Sequence, residues 1–380
     1  MKIDGNAIVY CENEFRTPNG KTAHGLVRRT ARYRVLSVVD STCSGHDAGS
    51  LLDNKPNGIP ILASVEEAVQ MARQHETPAS HLVIGLAPDG GRLGLRGRED
   101  VMRAIRMGLN IDSGLHDYLS EDPVLTSLSR ESGSTLRDIR KPPNRNELHF
   151  FTGKIAEVRS LRVAVLGTDS AIGKRTTAWM LLEALRSRQF GVELIGTGQT
   201  AWLQGAKYGI ILDSLINDFV SGEIEHAVWS AWNDEDPDVL VIEGQGSIMN
   251  PAYPGGFEIL AAGRPQCIIL QHAPARLAYD GFPDFPLDPL EKQRQVIELL
   301  SGKPVVAITI NHEHLDPTQT HRACEAISET LGVPAVDPLL HGLDSVVAVL
   351  LPWIQRARGP SVPDVERLEG YRTQPTDIVL

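Results

Sequence analysis

One stretch constrains this chain more than any other. An apolar run, Leu161–Leu166, leads directly into Gly167-Thr168-Asp169-Ser170-Ala171-Ile172-Gly173-Lys174-Arg175-Thr176-Thr177, and an amphipathic helical pattern follows at once. Strand, glycine loop and helix in this order make a cradle for phosphate. Glycine lets the backbone approach the anion, while successive N–H groups and the helix N-terminus point at it. Lys174 adds a point charge for a terminal or bridging phosphate. Two departures from the usual loop matter. Five residues, not four, separate Gly167 from Gly173, and Arg175 stands where Ser or Thr usually follows the lysine. The hydroxyl that would meet magnesium is thereby displaced to Thr176 or Thr177, which puts metal-dependent ATP hydrolysis in doubt.

The surrounding pattern predicts a doubly wound sheet. Apolar runs at Leu161–Leu166, Val192–Ile195, Val239–Ile242, Cys267–Leu270 and Val305–Ile310 read as buried strands. Helices are expected over Gly173–Arg188, Ile216–Trp232, Pro289–Leu300 and His321–Leu331. The first half alternates likewise, with strands at Ala7–Tyr10, Val35–Val39, Ile59–Leu62 and Leu82–Leu86. Helices are expected there at Ser64–Gln74, with Ser64 and Glu67 as a capping box, and at Arg98–Met107, ended by Gly108. Strands alternating with helices imply parallel sheets. Ser120–Ser160, with its Pro142-Pro143 pair and few apolar repeats, reads as the connection. The fold expected is α/β: a Rossmann-like parallel-sheet domain over 1–150, then a larger doubly wound P-loop NTPase-like domain over 151–358. Residues 359–380, with Pro360–Leu380 polar and proline-punctuated, read as a loosely attached tail.

Ligands of such sheets bind at the carboxyl ends of the strands. Val239–Ile242 delivers Glu243 to such an end, followed by Gly244-Gln245-Gly246-Ser247. There Glu243 can orient a metal, accept a proton or hold an ammonium group, or it can be a plain surface turn residue. Other strand ends place Thr197-Gly198-Gln199-Thr200, Asp213, Gln271-His272 and Asn311-His312 on the same rim. His272 has a structural reading beside the functional one, and Asp213 can simply begin the next helix.

With 380 residues and a formal net charge of -11, the chain is not expected to attract nucleic acid or an anionic membrane over its whole surface. The densest basic run, Arg28, Arg29, Arg32 and Arg34, reads as a solvated helix face. Cys11, Cys43, Cys267 and Cys324 are widely spaced, so neither a zinc site nor a disulfide framework is suggested, and no metal ligand is assigned. The start, MKIDGNAIVY, lacks a long apolar segment with a small-residue cleavage site, and a cytoplasmic location is expected.

The chain resembles a family long catalogued as a domain of unknown function, some of whose members are assigned as D-glutamate N-acetyltransferases. The likeness spans about residues 5–355. It is carried by Lys21-Thr22-Ala23, Val38-Val39-Asp40-Ser41, Gly58-Ile59-Pro60-Ile61, Gly85-Leu86-Ala87-Pro88, Gly114-Leu115-His116 and Asp138-Ile139-Arg140-Lys141-Pro142-Pro143. In the second half it is carried by Gly167-Thr168-Asp169 with Gly173-Lys174 and Thr176-Thr177, by Thr197–Thr200, by Glu243–Ser247 and by Pro251-Ala252-Tyr253. The Gly-Thr-Asp loop is also similar to that of dethiobiotin synthetase-like proteins. The N-terminal half is similar in pattern to the CoA-binding domain of succinyl-CoA synthetases.

The resemblance implies acetyl transfer from acetyl-CoA to the amine of D-glutamate or a related acidic amino acid. For that reaction the loop Gly167–Thr177, with Lys174, is expected to hold the CoA phosphates, Glu243 is expected to be the base or amine-orienting residue from its strand-end position facing the loop, and Asp213 and His272 are further catalytic candidates. Lys21, Thr22, Arg140, Lys141, Gln199, Thr200, Gln245 and Ser247 are the candidates for substrate contact. The partner expected is this small amino acid, with no nucleic acid or membrane, and the chain is expected to form a homo-oligomer. The alternative is an ATP-dependent ligase or kinase of the dethiobiotin synthetase type, using ATP with Mg on a small carboxylate.

Overall fold

The computed structural model describes residues 3–358. Its first sheet consists of β1 (Gly5–Tyr10), β2 (Tyr33–Val39), β3 (Ile61–Leu62), β4 (His81–Ile84), β5 (Asn110–Ser113) and β6 (Leu136–Asp138), ordered β3-β2-β1-β4-β5-β6. Every neighbouring pair is parallel. This is the dinucleotide-fold order, whose strand sequence reverses beside β1.

The second domain contributes β7 (Leu161–Gly167), β8 (Val192–Gly196), β9 (Tyr208–Gly209), β10 (Val239–Glu243) and β11 (Cys267–His272). A hairpin of β12 (Ala278–Tyr279) and β13 (Phe282–Pro286) stands apart, and β14 (Val305–Ile310) and β15 (Ala335–Val336) complete the sheet. The sheet order is β15-β14-β11-β7-β10-β8-β9, all parallel. Its central strands are covered on both faces, which is why they read as unbroken apolar runs. One face packs under helices Lys174–Arg186 and Asp344–Arg358, through Val163, Val165, Leu181, Leu185, Val347 and Leu350. The other lies against the helix Asn217–Glu235 and its neighbours, through Ala164, Ile242, Ile224 and Val228.

The domains share a core. The short helix Gln199–Leu203, which follows β8, inserts Leu203 among Ala23, Leu26 and Val38 of the first domain, where it is fully buried. Beside it the Arg32 guanidinium lies 3.7 Å from the centre of the Trp202 ring and donates to the Trp202 carbonyl.

One expectation needs correction, and one helix went unforeseen. Ser120–Ser160 is not all connection: helix Pro123–Ser132 and strand β6 belong to the first domain. Asp122 caps that helix, and Gly133 ends it in the left-handed conformation. No apolar run marks β6, because polar side chains hold this edge strand. Arg137 donates to Asp112, and Asp138 accepts from the amides of Leu119 and Ser120. The terminal helix Asp344–Arg358 carries Pro352 inside it, which obscured a helical stripe of Val346, Val347, Leu350 and Ile354. The expected tail lies outside the described residues. The four cysteines are unpaired and buried. Among the described residues no helix is long and apolar enough to cross a membrane.

Candidate functional site

Residues that follow strands in one sheet meet residues that follow strands in the other. Thr22, beyond β1, shares a buried hydrogen bond of 2.8 Å with Thr200, beyond β8. A Cβ on Gly114, just past β5, would lie 2.6 Å from Cγ of Gln199. The carboxyl ends of both sheets therefore border one cleft, and β7 opens into it between β10 and β11.

The loop after β7 is turned toward an anion. Ala171 and Gly173 take left-handed conformations, with φ of 52° and 101°. For alanine this costs on the order of 1–2 kcal/mol. The twist leaves the N–H groups from Ala171 through Thr176 without an acceptor in the protein among the described residues, and regular helical bonding resumes at Thr177. A concave run of unsatisfied amides at a helix N-terminus is the donor set that phosphate requires.

Asp169 makes this shape rigid. Fully buried, it accepts from Ser170 N and Asn250 Nδ2 on one oxygen, and from Arg276 Nη1 and Asp280 N on the other. Arg276 also binds Glu313 and the Ser170 carbonyl. Ser170 in turn donates to Asp280, so the hairpin β12–β13 is fastened to the loop. Asp169 is thus an anchor and not a ligand contact. Of its partners, Arg276, Asn250 and Asp280 were not foreseen, since isolated polar residues in irregular segments carry no periodic signal.

Lys174 is 7% exposed, and its Nζ donates to the Asp169 carbonyl at 2.6 Å. Burial lowers its pKa to about 8, against the pull of Asp169 and Glu243. Arg175 takes a different path. It leaves the loop toward the first domain and donates from Nη2 to the Lys21 carbonyl at 3.2 Å. At Gly25 a Cβ would sit 3.1 Å from that Nη2, so a larger residue there would press on the arginine. The Arg175 Nε is buried with no partner.

Glu243 ends β10 beneath these two cations, 4% exposed. Its Oε2 accepts from Thr197 N at 2.8 Å, and its Oε1 accepts no hydrogen bond among the described residues. Burial pushes its pKa upward, while Arg175, the Thr197 N–H and Lys174 draw it down. The result is a carboxyl group with one open oxygen, a raised affinity for protons and cations around it.

The other sequence candidates fall into two groups. Some reinforce the loop. Thr168 shares a hydrogen bond of 3.0 Å with His272 Nδ1, and burial lowers the His272 pKa to about 4. His272 is neutral at physiological pH and too weakly basic to take a proton there. Ile172 is buried, and its carbonyl accepts from Asn311. Thr177 donates its hydroxyl to Gln271, which also receives Thr309, so it faces the core and not the cleft. Thr176 faces the groove between the domains. Gln199 and Gln245 lie half-buried on the rim, with the Gln245 amide beside Gly198, and Ser247 is buried near Gln293.

The second group is engaged elsewhere. Arg140 and Asp213 form an ion pair with each other across the domains, and Arg140 Nε donates to the Gly114 carbonyl at 2.6 Å. Asp213 is therefore an interdomain contact and Arg140 already has its anion. Lys141 pairs with Glu121 at 3.0 Å on the first-domain surface, away from the loop. The Thr22 and Thr200 hydroxyls bond each other across the domains. Nor is the basic run a plain solvated face: Arg29 and Arg32 lie against Trp179 and Trp202.

Comparison with known proteins agrees with both domains. Residues 149–347 match the family model of the DUF1611 P-loop domain, and residues 41–142 that of its Rossmann-like N-terminal domain, both described as domains of unknown function. A D-glutamate N-acetyltransferase from a Pseudoalteromonas species is 34% identical over 72% of this chain and 81% of its own. Another of that name, from Tritonibacter scottomollicae, is 32% identical over the same shares. The crystal structure of a DUF1611 family protein from Anabaena variabilis is 27% identical, with a TM-score of 0.83 over 92% of this chain and all of its own.

Proposed function

The chain belongs to the DUF1611 family, and from that premise we propose that it is an amino-acid N-acetyltransferase using acetyl-CoA, with D-glutamate or a related acidic amino acid as acceptor. Relatives of that name support an enzyme of N-acetyl transfer. The observation that carries the finer reading is the run of open amides from Ala171 to Thr176, with Lys174 at its centre and the open oxygen of Glu243 below it.

These residues fit the phosphates of CoA. The amides and the Lys174 ammonium bind the diphosphate, and nothing in that binding calls for hydrolysis. Arg175, directed at Lys21, leaves no hydroxyl directly after the lysine, and the Thr177 hydroxyl is committed to Gln271. Bound acetyl-CoA supplies an activated acetyl group. Glu243 takes at Oε1 the proton that the acceptor ammonium must lose before its nitrogen can form the new bond. After attack on the thioester carbonyl the nitrogen sheds a second proton; one of the two passes through Oε1 to the sulfur released when the C–S bond breaks, and the other leaves to solvent. Gln199, Gln245 and Lys21 stand on the rim where the acceptor's carboxylates need partners.

The test is thiol release from acetyl-CoA against a panel of D- and L-amino acids. Turnover is expected with D-glutamate above all others. A panel in which D-glutamate is no better than the rest would overturn the acceptor, and thiol release with no acceptor in the panel would overturn the acetyl-transfer reading.

A further inference from the structure

We propose that the groove between the first domain and helix Lys174–Arg186 seats the adenosine end of CoA, with Lys55 as the cation for its 3′-phosphate. This rests on the reading that the loop holds the diphosphate of the same molecule.

The groove has a volume of about 360 Å³. That is within the ~300–1,000 Å³ typical of small-molecule sites and suits a nucleoside rather than a whole cofactor. One wall is a single face of the helix, where Thr176, Met180 and Glu183 follow each other at spacings of four and three. Thr176 belongs to both places: its amide is the last of the open run, and its side chain lines the groove. The groove therefore begins where the phosphate cradle stops.

The opposite wall is cationic. Arg28 grips Asp53 through Nε at 3.0 Å and Nη2 at 2.6 Å, and Arg29 pairs with Glu183. Each carboxylate in the groove is thus balanced by one arginine. Lys55 is left over, exposed and without an anionic partner among the described residues. A surplus cation here, on a chain of net charge -11, suits a phosphate monoester.

The inner wall suits a base. The Arg29 guanidinium lies 3.9 Å from the centre of the Trp179 ring, a flat cation backed by an indole. Nucleobases stack on such planes. The Arg29 Nη1 is buried with no hydrogen-bond partner, so this wall holds a donor whose bonding is still unmet.

Isothermal titration with CoA, 3′-dephospho-CoA and inorganic diphosphate tests the assignment. Wild-type protein should bind CoA about tenfold more tightly than dephospho-CoA, the worth of one charge-assisted contact at a solvent-facing site. Lys55→Ala should erase that ratio by weakening CoA alone. Met180→Trp, which fills the groove, should weaken both cofactor forms and leave diphosphate binding unchanged. Equal affinity for the two forms in wild type, or an unaltered ratio in Lys55→Ala, overturns the groove assignment while leaving the loop reading intact. Failure of every CoA form to bind, or an unchanged affinity in Lys174→Ala, overturns the loop reading and the groove assignment with it.

Discussion

The ammonium of Lys174 donates to the backbone carbonyl of Asp169, 2.6 Å away, so the cation of the loop is held by the loop itself. Buried there, it has a pKa near 8. The consequence for binding has a definite sign. Below pH 8 the lysine already carries its charge, and a phosphate binds without proton uptake. Above pH 8 it is neutral in the free protein, and the arriving anion must draw a proton from solvent. Titration of CoA affinity should therefore be flat from pH 6 to 8 and fall by about tenfold per unit above that. Lys174→Arg should flatten the alkaline limb, because guanidinium stays charged.

Glu243→Gln keeps the shape and the acceptor for Thr197 N but cannot take a proton. Turnover should drop by about 10²–10⁴-fold, the usual worth of a general base, with little change in KM. Thermal unfolding should stay the same or move upward, because a buried neutral amide avoids the desolvation that burial imposes on the carboxylate. Unchanged kcat in a purified, folded variant would remove Glu243 from the chemistry.

Arg175 is the strongest influence holding the Glu243 pKa down. Arg175→Met removes that charge and keeps most of the bulk. With Glu243 more easily protonated, the acidic limb of the kcat–pH profile should move upward by about one unit. A purely architectural role for Arg175 would lower stability and leave the limb in place.

Asp169→Asn replaces an acceptor of four donors with a group that must present one NH₂ to them. Arg276 would lose one anion and the loop its brace. A loss of about 3–5 kcal/mol is expected in chemical denaturation. Melting unchanged to within a degree would show that the loop keeps its shape by other means.

How much of this could be read in the residues depends on the kind of signal. The loop announces itself because Gly167, Gly173 and Lys174 must be contiguous with a strand and a helix, and Glu243 because an unbroken apolar run ends on it. The sheets follow from the same runs. The partners that make the site work are less legible. Arg276, Asn250 and Asp280 act from irregular segments, where position is set by tertiary contacts and leaves no period in the sequence. Arg140 has the right chemistry for a substrate carboxylate, Asp213 for moving a proton, and Lys141 again for a carboxylate. Only the folded chain reveals that the first two face each other and the third faces Glu121. Strand β6 stayed hidden because its support is ionic, not apolar.

Leu203 deserves a last consequence. It is encoded in the second domain and fills a hole in the first. A protease cut in the connection would therefore not release two separable pieces, for each would expose an apolar surface that the other was built to cover. The halves should melt together in one calorimetric transition. Neither could be exchanged for a foreign relative by recombination unless the joint travelled with it.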